Sequence, residues 1–184
     1  MTDSLIEKRY LPAALEALKA FPIQLEDIQA IRHSENVTFR IIPRDSATHY
    51  ALRLHRHGYN SLAELNSERQ WTRALKESGL AVPESLTTTK GHHFYPVNIN
   101  ATGERCLSGM TTWLEGIPLN EYLPGCTELK VREQIYRQIG AMTEKATINR
   151  QAGKNRRAFN GVNSMPMAWL VRTLIADGFG STAR

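Results

Sequence analysis

No stretch of this sequence approaches the roughly 18 consecutive apolar residues that a membrane-spanning helix needs, so no such helix is expected. Cysteine is nearly absent. Cys106 and Cys126 are the only two, and they have neither the spacing of a zinc site nor that of a redox motif. A disulfide framework and a structural metal centre therefore have no basis, and the pair reads as two reduced cysteines in a cytoplasmic protein. The amino-terminal stretch MTDSLIEKRYLPAALEALKAF is charged and amphipathic and lacks the apolar centre of a secretory signal. The sequons at Asn36 and Asn100 carry little weight in that context. Repeats and low-complexity segments are missing as well. Aspartate is scarce, with only Asp3, Asp27, Asp45 and Asp177.

What is present fits one ordinary globular domain, or one and a fraction: 184 residues, 41% hydrophobic and 22% charged. The net charge of +5 is localised. Residues 1–119 carry 13 Lys and Arg against 13 Asp and Glu, whereas residues 120–184 carry 10 against 5. Much of the excess lies in EKATINRQAGKNRR, Glu144 to Arg157. No aromatic interleaving or nucleic-acid motif accompanies it, so a solvated basic segment is favoured over a nucleic-acid interface.

Leu5, Tyr10, Leu11, Ala14, Leu15 and Leu18 recur at helical spacing, with Pro12 as a candidate break, so the first element reads as one helix or two short ones ending near Phe21-Pro22. IQAIRH and VTFRIIP read as strands around a polar turn at Ser34-Glu35-Asn36, and HYALRLHR reads as a third, giving an antiparallel meander. Ser61 with Glu64 forms a capping-box pattern that starts a helix near Ser61. Gly79 stops it after about Ser78. Weaker strands follow through HHFYPV and ERCLSGMTTWLEG. A second amphipathic helix is expected from Glu128 to about Thr147, with Val131, Ile135, Ile139 and Met142 on one face. MPMAWLVRTLIADGF reads as a last apolar, helical piece.

Two charges stand out against this pattern. On the first long helix after the meander, Leu65, Trp71, Thr72 and Leu75 share one side, and Glu68 falls in the middle of that arc. A carboxylate there is costly unless paired. On the third strand Tyr50, Leu52 and Leu54 share one face and should meet the core, while Ala51, Arg53 and His55 share the other. An Arg53–Glu68 ion pair would satisfy both charges. The alternative is two unrelated surface residues.

The segments SENVTF, YALRLHR, NSERQW, SGLAVPE and TTWLEG, in that order over about residues 28–120, resemble the aminoglycoside-phosphotransferase and homoserine-kinase-like family, small-molecule kinases of protein-kinase fold. The resemblance implies an α+β fold. A kinase-like nucleotide lobe at 1–115, an antiparallel sheet with a packed helix, would precede the hinge and the truncated helical start of a carboxy-terminal lobe at 116–184. It implies ATP and Mg²⁺ as cofactors and a small hydroxyl-bearing acceptor. By the same resemblance Arg53 orients the phosphates and Glu68 is its partner. Ala51 lies against adenine. Ser34, Glu35 and Asn36 form the loop over the phosphates. The Thr112 carbonyl and Leu114 amide meet the adenine edge. A strand end before a glycine turn is the plainer reading of TTWLEG.

The catalytic loop His-x-Asp-x-x-x-x-Asn is absent, since no Asp follows a His by two, and Asp177-Gly-Phe-Gly carries an extra glycine and reads as a loop. No catalytic or metal residue is therefore assigned. His55-Arg56-His57 and His92-His93 read as surface polar residues rather than metal ligands. Two functional readings follow: a fragment of an ATP-dependent phosphotransferase, or a non-catalytic module binding a nucleotide or a protein. Trp113, Ile135, Ile139 and Trp169 are expected to be short of partners, which would favour self-association through an exposed face.

Overall fold

The computed structural model describes residues 3–33, 36–117 and 119–152. These fall into two compact units: Met1–Leu62 with Glu84–Trp113, and Ala63–Pro83 with Leu114–Arg184.

The first unit is a six-stranded antiparallel sheet with one helix, α1 (Asp3–Leu18). The strands are β1 (Leu25–His33), β2 (Asn36–Pro43), β3 (Tyr50–His55), β4 (Ser85–Leu86), β5 (Phe94–Ile99) and β6 (Glu104–Thr112). The expected meander is present, as β1 pairs with β2 and β2 with β3, both antiparallel. Beyond it the order is not sequential. β6 pairs with β3 on one side, and with β5 and then β4 along the other. The two bonds at the exit of β6 are local and mutual: the Thr112 amide donates to the Glu84 carbonyl at 2.8 Å, and the Glu84 amide donates to Thr112 Oγ1 at 2.9 Å.

Strand alternation sorts the side chains into two faces. The first face presents Val37, Phe39 and Ile41 from β2, Leu52 and Leu54 from β3, Val97 and Ile99 from β5, and Cys106 and Met110 from β6. All are buried in one cluster with Ala13, Ala14, Ala17 and Leu18 of α1. Fully buried side chains such as Phe39 and Leu52 contribute roughly 1.5–3 kcal/mol each. Three alanines on the inward side of α1 let the helix approach the sheet closely. Pro12 does not break α1, so the single helix, rather than two short ones, is present. The proline removes one backbone bond, and the burial of Ala13, Ala14, Ala17 and Leu18 on the sheet offsets that loss. The packing of this helix on the sheet was not foreseen from the sequence.

In the second unit, α2 (Leu62–Glu77) begins one residue after Ser61 and buries Leu65, Trp71 and Leu75. Its end is a Schellman motif. Gly79, at φ +82°, donates to the Lys76 carbonyl at 2.8 Å, and the Leu80 amide donates to the Leu75 carbonyl at 3.1 Å. Leu75 and Leu80 are both buried, which supplies the apolar contact that accompanies such ends. A short helix α3 (Leu119–Tyr122) and a single 3-10 turn precede α4 (Leu129–Ala152). α4 runs to Ala152, past the expected end near Thr147, so part of the basic segment is helical. Ile135, expected to be short of partners, is buried. Leu129 and Tyr136 are instead the exposed apolar residues of α4, at 71% and 53%. Trp169, the piece MPMAWLVRTLIADGF and Asp177-Gly-Phe-Gly lie outside the described residues. Among those described, no helix is long and apolar enough to cross a membrane.

Candidate functional site

The second face of the sheet is built in three rungs, each a line of cross-strand partners over β2, β3 and β6 with a fourth residue from β4 or β5. The first is Arg40, Ala51, Thr111 and Ser85. The second is Thr38, Arg53, Gly109 and Phe94. The third is Asn36, His55, Leu107 and Pro96. Successive rungs are two residues, or about 7 Å, apart, so the first and third lie about 13 Å apart.

Polar groups are treated differently on the two faces. On the α1 face, Ser108 Oγ donates to the Tyr95 carbonyl at 2.8 Å and Thr112 Oγ1 accepts from Glu84. On the second face, Asn36 Oδ1, His55 Nδ1 and Thr111 Oγ1 are buried without a hydrogen-bond partner. They are the buried side-chain atoms of this unit left in that state among the described residues. Each unsatisfied group costs about 1–3 kcal/mol. Their concentration on one face, at both ends of the rung ladder, marks that face as unfinished in polar terms. The other two such atoms, Arg69 Nε and Trp71 Nε1, belong to α2.

At the first rung, the Arg40 guanidinium donates from Nε and from its terminal nitrogen to His49 Nδ1, at 3.2 and 2.7 Å. It also stacks on the Trp113 ring, with its central carbon 4.9 Å from the ring centre. The Trp113 amide donates to the His49 carbonyl at 2.9 Å. Together these tie β2, the β2–β3 turn and the residue leaving β6 into one block. At the second rung, Gly109 makes room for Phe94: a Cβ at Gly109 would lie 2.9 Å from Phe94 Cε1. Phe94 in turn meets His55 edge-on, with centroids 5.8 Å apart and planes at 72°. Burial, and then the charge of Arg53, push the His55 imidazole down to about 4, so it is neutral at physiological pH.

Of the residues singled out from the sequence, the sheet brings Asn36, Ala51 and Arg53 onto this one face. Thr112 ends β6 with its side chain on the opposite face. Leu114 follows in the stretch leaving the sheet, and Glu68 is half-buried on α2, in the second unit. Ser34 and Glu35 lie outside the described residues. His55 is a correction. It was expected at the surface, yet it is 7% exposed, because Phe94 reaches across Gly109 to cover it. Of the other histidines, His57 Nδ1 donates to the Arg105 carbonyl at 2.8 Å, and His93 Nδ1 is hydrogen-bonded to Ser85 Oγ at 3.0 Å. Sequence reasoning missed Thr111 and the Arg40–Trp113 stack. Alternation along TTWLEG would have placed Thr111 on the Ala51 face once the pairing of β6 with β3 was known.

Among solved structures, the chain is similar to the amicoumacin kinase hAmiN in complex with AMP-PNP, Ca²⁺ and Ami, with a TM-score of 0.64 and 16% identity over 84% of this chain and 44% of that one. The chain has an aminoglycoside-phosphotransferase-like kinase fold. It is also similar to a microcompartment-associated aminopropanol kinase, with a TM-score of 0.52 and 21% identity over 60% of this chain and 34% of that one. At these identities the likeness is one of fold, and the chain spans less than half the length of either kinase. No family model and no curated protein matches it by sequence. The sheet unit of this kinase-like fold carries the three-rung face, with Arg53 at its centre.

Proposed function

We propose that the chain is the nucleotide-binding part of an ATP-dependent small-molecule phosphotransferase, a kinase that moves a phosphoryl group to a hydroxyl of a small acceptor. The observation that carries this reading is the three-rung face. A small residue, Ala51, and a cation, Arg53, sit two positions apart on one strand, flanked by buried polar atoms that lack partners, in a kinase-like fold. A nucleotide fits that pattern chemically: an apolar ring over Ala51, an anion at Arg53 and hydrogen bonds at either end. In this reading the Thr112 carbonyl and Leu114 amide meet the edge of the base. Asn36, with Ser34 and Glu35, covers the phosphates. Arg53 neutralises them with a bidentate fork that a lysine lacks, and the family resemblance assigns Glu68 as its partner. Catalysis in such kinases is positioning plus electrostatic stabilisation. Mg²⁺ would supply neutralising charge at the phosphates, but among the described residues no three His, Cys, Asp or Glu side chains gather to hold a metal ion.

The missing His-x-Asp-x-x-x-x-Asn motif favours a second reading for the chain by itself, a module that binds nucleotide without turnover. Calorimetry with AMP-PNP tests what both readings share. The chain should bind, and Arg53→Ala should weaken binding at least tenfold, the loss of one charge-assisted contact. A double-mutant cycle of Arg53→Ala with Glu68→Ala should show non-additivity if the two act as a pair. Absence of AMP-PNP binding by the unmodified chain overturns the reading. Turnover of Mg-ATP with a hydroxyl acceptor would overturn the non-catalytic version alone.

A further inference from the structure

Along β3 the sequence resemblance ends the site at Arg53. The third rung continues it. Asn36 and His55 face each other across β2 and β3, two positions beyond Arg53 on the side away from Ala51. Both present a buried polar atom with no partner, and the His55 side chain is more than nine-tenths buried. Nothing in the fold of this unit needs a polar pair there. Apolar side chains would close the same rung at lower cost, as Val37 and Leu54 do on the opposite face.

The rung spacing indicates what the pair would meet. Thr111, unpartnered at the first rung beside Ala51, lies about 13 Å from the third rung. That is comparable to the reach of a nucleoside triphosphate laid along β3 from base to terminal phosphate, with Arg53 midway. We propose that His55, with Asn36, forms a hydrogen-bonding site for the terminal phosphate of a nucleoside triphosphate, the imidazole donating through Nδ1–H and the asparagine through its side-chain NH₂. This deepens the nucleotide reading and rests on it. A half-turn about the last side-chain bond of Asn36 exchanges its oxygen for the NH₂. The depressed proton affinity of His55 keeps the imidazole neutral, so that it carries one N–H donor beside Arg53 without adding a second buried cation. The edge-on contact with Phe94 fixes the plane of the ring. Gly109 permits that contact, since its missing side chain is where Phe94 sits.

The test titrates the full 184-residue chain with AMP and with ATP by calorimetry in EDTA, for the unmodified chain, His55→Phe and His55→Gln. His55→Phe should weaken ATP binding by about tenfold or more, the range for one hydrogen bond to a charged group, and leave AMP within about twofold of the unmodified value. His55→Gln, which keeps an N–H donor, should recover most of the loss. Equal effects on AMP and ATP, or none on ATP, overturn the proposal. Should His55→Phe fold poorly, as judged by its thermal melt, histidine ring nitrogen NMR of the unmodified chain decides. The His55 Nδ1 signal should move with ATP and stay with AMP, and an unmoved signal at saturating ATP overturns the assignment. A chain that binds neither nucleotide defeats the parent reading. One that binds both with no His55 response defeats this one alone.

Discussion

His55 should make the stability of the chain depend on pH in a way that one substitution removes. In the folded state its imidazole titrates at about 4, against 6.5 for the ordinary group, because burial and then Arg53 disfavour the cation. Between those two values the unfolded chain binds a proton that the folded chain does not, so stability rises with pH across this window. The effect is absent above about pH 7.5. It grows as pH falls through 6.5 and levels off near 4, where the folded protein also takes up the proton. A difference of about 2.5 pKa units at 1.36 kcal/mol each gives about 3 kcal/mol in full, and about 2 kcal/mol by pH 5. Urea denaturation followed by tryptophan fluorescence, at intervals from pH 8 to pH 5, measures this for the unmodified chain and for His55→Phe. Other histidines titrate in both proteins, so the difference between the two curves isolates His55. The unmodified chain should lose about 2 kcal/mol relative to the variant on going from pH 8 to pH 5. Parallel curves would show that the imidazole is solvated or protonated in the fold, and the account of the buried third rung would fail with it.

Two further outcomes follow from local geometry. Gly109→Ala should destabilise the chain by about 1–3 kcal/mol, because its Cβ would stand 2.9 Å from Phe94 Cε1; adding Phe94→Leu should return part of that, and a neutral Gly109→Ala in a denaturation experiment would show that Phe94 moves freely. The buried Cys106 thiol is pushed up to about 11, first by burial and then by Glu104, leaving about 0.1% thiolate at pH 8, so iodoacetamide should label the half-buried Cys126 first and Cys106 only after unfolding, as read by peptide mass spectrometry.

Alternation in YALRLHR was enough to put Leu52 and Leu54 on the core face and Arg53 on the other, since a strand offers only two directions. The stop of α2 at Gly79 was legible for a similar reason: glycine readily takes the left-handed conformation that the turn requires. Burial on the second face was not legible. Parity says which way His55 points but not what lies above it, and its cover, Phe94, arrives from a strand nearly forty residues later through a pairing that no local pattern encodes. The same holds for Thr111, which joins the Ala51 rung only because β6 runs beside β3. At Pro12 the sequence left one helix or two open, because propensity counts the lost backbone bond and not the close packing that three alanines allow.

The place of β6 bears on how the chain acquires its fold during synthesis. Until residue 112 has emerged, β3 has a partner on one side only, and its other edge is a row of open backbone donors and acceptors of the kind that seeks out foreign strands. At about 5–20 residues per second that exposure lasts several seconds after β3 itself is made. The sheet closes only through contacts distant in sequence, and those are slow to form. A chaperone or a slowed ribosome between residues 55 and 112 would act on an edge whose neighbours, Arg53 and His55, place a cation and a polar ring beside it, both of which discourage strand-to-strand aggregation while it waits.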